Sequence, residues 1–260
     1  MCSDCGCAQS VPFGVKALRA LTPVLGGRAR EGAPVASAKA EGATTTLDVR
    51  IPLLAKNDRL AERNRGFFKG RGILALNLVS SPGAGKTTLL SRTLDTFGLE
   101  VRCAVVVGDL ETDNDARRLA RPHAPVAQIT TGTACHLDAG MVAKGVESLD
   151  LLGVRVLFIE NVGNLVCPAE FDLGEQVRVV LLSTTEGEDK PLKYPPIFKS
   201  ADVVLMTKID VAEVLGFDLK AAAANIRRMA PQAQLIELSA RTGEGMDEWH
   251  ALLRDRLPTS

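Results

Sequence analysis

From Ile73 onward the chain alternates short apolar runs with longer mixed segments. The runs are Ile73–Val79, Val101–Val107, Val126–Ile129, Val154–Ile159, Val177–Leu182, Val203–Met206 and Leu235–Leu238. Near-continuous Val, Ile and Leu, without polar alternation, suit strands covered on both faces. Helix-length segments separate most of them, among them Thr87–Phe97, His136–Leu149, Leu219–Met229 and Met246–Leu257. This rhythm predicts an α/β fold, a mostly parallel seven-stranded sheet flanked by helices over residues 73–260.

The chain before Ile73 has a different texture. Residues 1–7 hold three cysteines, Cys2, Cys5 and Cys7. Residues 8–50 begin with an Ala-, Gly-, Thr-, Ser- and Pro-rich stretch and read as a flexible linker. Leu53, Leu54, Leu60, Phe67 and Phe68 then predict a helix within 51–72 that leads into the main domain.

Charge and composition narrow the function. Lys plus Arg equals Asp plus Glu at 31 each, so there is no electrostatic footprint for nucleic acid. No apolar run approaches the roughly 18 to 20 residues that span a bilayer. The first residues lack the basic start and apolar core of a signal peptide, which makes the cytoplasm the expected compartment. Thiols stay reduced there, so the six cysteines read as metal ligands or buried fillers.

The segment Ser80-Ser81-Pro82-Gly83-Ala84-Gly85-Lys86-Thr87-Thr88 joins the first of these runs to a helix. That is the setting of a phosphate loop, whose glycines turn backbone N–H groups toward phosphate oxygens at a helix N-terminus. Lys86 is expected on the β and γ phosphates and Thr87 on Mg²⁺. Ser80 stands where the general pattern has glycine.

Thr207-Lys208-Ile209-Asp210 follows another run and resembles the Asn-Lys-x-Asp loop of GTPases. There the aspartate accepts hydrogen bonds from the guanine N1–H and exocyclic amine. Ser239-Ala240-Arg241 follows the last run and resembles the Ser-Ala-Lys loop that supports the base. Asp109 and Glu160 close two other runs, which would bring both carboxylates to the ligand crevice of the sheet. Glu160 would hold Mg²⁺ through water, Gly163 would offer its N–H to the γ-phosphate, and Asp109 would orient the attacking water or touch the metal.

Two sets of soft ligands remain. Cys2-x-x-Cys5-Gly6-Cys7 can wrap one soft or borderline ion. Cys135-His136 and Cys167 offer at most three ligands per chain, fewer than a closed tetrahedral site, so two copies about a two-fold axis would complete a shell. The alternative is that Cys135 and Cys167 are small buried apolar groups. Cys103, inside an apolar run, reads as core.

Taken together, four blocks resemble the hydrogenase nickel-incorporation GTPases of HypB type, in the SIMIBI class of phosphate-loop GTPases. They are Cys2–Cys7, Ser80–Leu90, Thr131–Asp138 and Glu160–Pro168. Ser80 agrees with that family. The resemblance implies GTP-dependent homodimerisation, a tight nickel site at Cys2, Cys5 and Cys7, and an interfacial nickel or zinc site at Cys135, His136 and Cys167. It also implies nickel delivery to the large subunit of a nickel–iron hydrogenase, with a HypA-type metallochaperone as partner. Many members carry a histidine-rich tract after the cysteines. This chain has three histidines in all, His123, His136 and His250, so bulk nickel storage is not expected.

Overall fold

A computed structural model of the chain describes residues 14–18, 46–110 and 114–259. Cys2, Cys5 and Cys7 lie outside the described residues. The strands are β1 Gly14–Leu18, β2 Leu74–Ser80, β3 Cys103–Asp109, β4 Val126–Thr130, β5 Val156–Glu160, β6 Val177–Ser183, β7 Val203–Thr207 and β8 Gln234–Leu238. The α-helices are α1 Thr46–Gly70, α2 Lys86–Asp95, α3 Asn114–Leu119, α4 Ala139–Glu147, α5 Lys190–Lys193, α6 Pro195–Lys199, α7 Ala212–Leu215, α8 Leu219–Met229 and α9 Met246–Arg256.

The strands form one sheet in the order β1-β4-β3-β5-β2-β6-β7-β8. Strands β2 to β8 pair in parallel throughout. Every residue of β2, β5, β6 and β7 is buried, which is why their sequences lack alternation. Alternate residues nevertheless serve different faces. Leu74, Leu76 and Leu78 pack with Leu89, Leu90 and Leu94 of α2 and Trp249 of α9. On the other face, Ala75 joins Phe68 of α1 and Val142 of α4, while Val79 joins Phe198 of α6 and Ile226 of α8.

The seven predicted strands are present in parallel array, with ends shifted by a residue or two. Two shifts matter. β3 and β5 run on to include Asp109 and Glu160, so both carboxylates belong to the sheet's C-terminal edge. Helix α4 starts at Ala139 rather than His136, because Asp138 is its cap and accepts a 2.7 Å bond from the Met141 N–H. Cys135 and His136 are thereby left on loop backbone.

Two features depart from the reading of the first residues. β1 falls inside the stretch read as linker and adds an eighth, antiparallel strand against β4. Five residues joining an existing edge through backbone bonds leave almost no periodic signal. Helix α1 also begins at Thr46, ahead of residue 51.

Candidate active site and metal centre

The phosphate loop leaves the C-terminal end of the central strand β2. Gly85 caps α2 with φ of 100°, a left-handed conformation that lets the loop turn directly into the helix. Lys86 is buried, and its Nζ donates to Ser80 Oγ at 2.8 Å. Ser80 Oγ in turn donates to the Ser81 carbonyl at 2.6 Å. The serine in the glycine position thus holds the ammonium inside the loop. Burial lowers the Lys86 pKa, against the opposing pull of Glu160 and other acids.

Beside this loop lies a polar cavity of about 500 Å³, lined by Lys86, Thr87, Asp109, Glu160 and Gly163 among others. Thr87 Oγ1 donates to Glu160 Oε1 at 2.7 Å, while the buried Glu160 Oε2 has no hydrogen-bond partner. Burial pushes the Glu160 pKa up to about 7, outweighing Lys86 and the Thr87 bond. An unpaired buried carboxylate oxygen beside a hydroxyl fits a hard dication with oxygen ligands, as Mg²⁺ is. Gly163 presses on the loop: a Cβ there would come within 3.0 Å of Pro82 Cα. Asp115 and Arg118 of α3 also line the cavity and pair at 3.6 Å, a contribution the sequence reading missed. An acid–base pair one turn apart carried no signal that it would face the loop.

A second, more apolar cavity of about 230 Å³ is lined by Thr207, Lys208, Asp210, Ser239, Ala240 and Arg241, with Ala84, Gly85 and Thr88 among its other walls. Gly85, Thr88 and Lys208 line both cavities, so the two adjoin. Thr207, in the asparagine position of the GTPase motif, donates from Oγ1 to the Ala84 carbonyl at 2.8 Å. It ties the base loop to the phosphate loop. Lys208 has a φ of 61° and is the one non-glycine residue with positive φ among the described residues. Its Nζ donates to the Gly83 carbonyl at 2.7 Å, and its own carbonyl accepts from Thr184 Oγ1 at 2.8 Å. Thr184, just beyond β6, was not anticipated, because a Thr in a polar turn looks ordinary in sequence. Ser239 is fully buried and its Oγ accepts from the Thr242 N–H at 3.2 Å.

Cys135, His136 and Cys167 converge from two loops, with ligand atoms all within 4.8 Å of one another. The two sulfurs are 2.9 Å apart and not joined in a disulfide. His136 packs against Phe171 with ring centroids at 3.9 Å, and its buried Nδ1 has no partner. Burial lowers the His136 pKa, favouring the neutral imidazole that metals bind. Two thiols and a neutral imidazole suit nickel or zinc, with a fourth position open. Cys103 is fully buried in β3 and takes no part, and burial pushes its thiol up to about 12.

One side chain touches both halves of the site. Asn161 follows Glu160, and its Oδ1 accepts from the N–H of Val162 at 3.0 Å and of Leu137 at 3.1 Å. Its Nδ2 donates to Asn77 Oδ1 at 3.2 Å. Val162 leads to Gly163 and the phosphate loop; Leu137 adjoins His136. Asn164 Nδ2 adds a bond to the Cys135 carbonyl at 3.2 Å. Neither asparagine was singled out from the sequence, because amides give no signal until their distant backbone partners are known.

A phosphate loop on a central parallel strand, a lysine–aspartate base loop and a Ser-Ala loop at one sheet edge define the class: a phosphate-loop GTPase. Comparison with known proteins agrees and is more specific. The family described as CobW/HypB/UreG, nucleotide-binding domain, matches residues 74–237. The hydrogenase maturation factor HypB of Escherichia coli strain K12 is 53% identical over 203 residues, covering 78% of this chain and 70% of that protein. The crystal structure of HypB from Archaeoglobus fulgidus superposes with a TM-score of 0.74 at 40% identity, covering 78% of this chain and 99% of that one. HypB from Helicobacter pylori, solved in complex with nickel, gives 0.74 at 37% identity, covering 79% and 98%. The chain belongs to the HypB family of hydrogenase maturation factors.

Proposed function

We propose that this protein is a GTP-driven nickel metallochaperone that delivers nickel to the large subunit of a nickel–iron hydrogenase, working as a GTP-dependent homodimer with a HypA-type partner. The carrying observation is the adjacency of two sites: a thiolate–imidazole cluster within 4.8 Å and a phosphate loop, with Asn161 bonded to the backbone of Leu137, beside His136, and of Val162, beside Gly163.

In this reading the base enters the smaller cavity. Asp210 accepts its N1–H and exocyclic amine, Lys208 lies along it, and Ser239, Ala240 and Arg241 close it. The N–H groups of Gly83, Ala84, Gly85, Lys86, Thr87 and Thr88 and the Lys86 ammonium hold the phosphates. Thr87 and, through water, Glu160 would hold Mg²⁺, which would neutralise phosphate charge. Asp109 orients a water that attacks the γ-phosphorus as the bond to the β-phosphate oxygen breaks, giving GDP and phosphate. Gly163 N–H binds the γ-phosphate and senses its loss.

Nickel is the cargo, with zinc competing for the same ligands. Cys2, Cys5 and Cys7 form one site near the start of the chain. Cys135, His136 and Cys167 form the second, completed by the same residues of a second copy. A shift of Gly163 on hydrolysis reaches Cys167 along the intervening segment and Cys135–His136 through Asn161. That changes ligand spacing and releases the ion. No described helix is long and apolar enough to cross a membrane, in keeping with work in the cytoplasm.

The decisive measurement is nickel and zinc titration of the wild type and Cys167→Ala, each with GDP and with a non-hydrolysable GTP analogue. The nucleotide is expected to change metal affinity in the wild type and not in the variant. Equal wild-type affinities in the two nucleotide states would remove the coupling.

A further inference from the structure

Helix α1 precedes the phosphate-loop strand and contributes to neither cavity, yet it grips both metal-bearing loops. Asn57 and Asn64 lie about two turns apart on one face, and both are buried. Asn57 Oδ1 accepts from the Ala139 N–H at 2.9 Å, and its Nδ2 donates to the Asp172 carbonyl at 2.8 Å. Asn64 Nδ2 donates to the Ala139 carbonyl at 2.8 Å and to the Leu173 carbonyl at 3.0 Å. Each amide therefore bridges the same two segments. Ala139 lies just past Cys135–His136, and Asp172–Leu173 lies just past Cys167 and adjoins Phe171, the ring against His136.

The grip is tight on both sides. Arg65 pairs with Asp172 at 2.5 Å. Gly174 has φ of 86°, and a Cβ there would come within 2.4 Å of the Ala61 carbonyl, so the second loop passes directly under α1. Asn57 is bonded through both of its amide atoms and Asn64 through its Nδ2, and such buried bonds fix their partners because any shift strands a polar group in an apolar setting.

We propose that Asn57 and Asn64 are positioning residues for the metal site, a clamp that sets the distance between Cys135–His136 and Cys167. The inference rests on metal binding at those ligands. Neither asparagine touches the metal. They act by holding the backbone three residues past His136 and five to six residues past Cys167, as outer partners commonly do.

The test uses the full chain carrying Cys2, Cys5 and Cys7→Ser, so that one soft site remains. Cobalt(II) and nickel(II) are titrated into this parent and into Asn57→Ala, Asn64→Ala and Asn57→Asp, with thermal melts alongside. Both alanine variants are expected to weaken binding about tenfold and to move the cobalt d–d bands. Asn57→Asp keeps the acceptor for Ala139 and loses the donor to Asp172, so it falls between parent and alanine. If an alanine variant does not fold, Asn57→Asp carries the test. Variants that melt earlier but keep the parent's affinity and cobalt spectrum overturn the clamp, since a purely structural role predicts that result. A parent whose metal binding ignores Cys167→Ala removes the site itself and the clamp with it.

Discussion

The nucleotide cavity and the thiolate–imidazole cluster adjoin each other, yet they are finished to different degrees. In the cavity most polar groups, Glu160 Oε2 excepted, already have internal partners: Lys86 on Ser80, Thr87 on Glu160, Thr207 on Ala84 and Lys208 on Gly83. The cluster has three ligands and a buried His136 Nδ1 without a partner. On the cavity side Lys86, Thr87, Asp109, Glu160 and Thr207 stand on strand ends and a helix start, which the sheet core holds. Cys135 and His136 stand on a loop and Cys167 opens a single 3-10 turn, and both segments are braced by asparagines. A site carried by regular structure keeps its shape alone, whereas one carried by loops takes its geometry from its bracing and is free to change state.

The contrast can be broken or sharpened by experiment. The largest effect is expected from Lys86→Ala, which removes the buried ammonium from the phosphates and should slow GTP hydrolysis by about 10³-fold, read as single-turnover phosphate release. Next, Cys167→Ala should weaken metal binding at the cluster by about 100-fold, measured by nickel titration. If the same variant lost GDP affinity to a like extent, the two regions would be one site and the contrast would fail.

Asp210→Asn should weaken GTP by about 30-fold through loss of a charged acceptor. It should at the same time improve xanthosine triphosphate, whose C2 carbonyl accepts from an amide. Unchanged selectivity would show that the base does not occupy the smaller cavity.

The smallest effect concerns pH. Burial raises the Glu160 pKa to about 7, so its proton is favoured in the fold. Its contribution to the unliganded protein's stability is present below the ordinary value of 4.5 and is lost as pH rises through about 7. Magnesium binds the ionised carboxylate, so its affinity should rise about fivefold from roughly pH 6 to 7 and then level off. Glu160→Gln should bind magnesium weakly, with that slope absent. A slope that persisted in the variant would assign the proton elsewhere.

Much of the nucleotide cavity was legible in the chain because its parts are local. Ser80 to Thr88 is one turn, Thr207 to Asp210 another, and each follows an apolar run that had to be a strand. The metal ligands were legible as candidates, but their convergence was not: spacing alone left Cys135 and Cys167 equally readable as apolar filler. The polar bracing was invisible, because Asn57 and Asn64 bond backbone groups far away in sequence and Asn161 bonds the distant Leu137 N–H and Asn77 side chain. Asp115 and Arg118 read as an ordinary acid–base pair one helical turn apart, with nothing to show that they face the phosphate loop.

By itself the sequence determined the strand–helix rhythm, the phosphate loop and the base loop, since hydrophobic period and turn chemistry act over a few residues. Tertiary structure decided the rest. It brought two cysteines and a histidine together from separate segments, buried Glu160 against Thr87, laid α1 across the chain just past both sets of ligands and added β1 to the sheet edge. Those outcomes depend on burial and on hydrogen bonds between distant segments, energies that arise only once the chain has closed on itself.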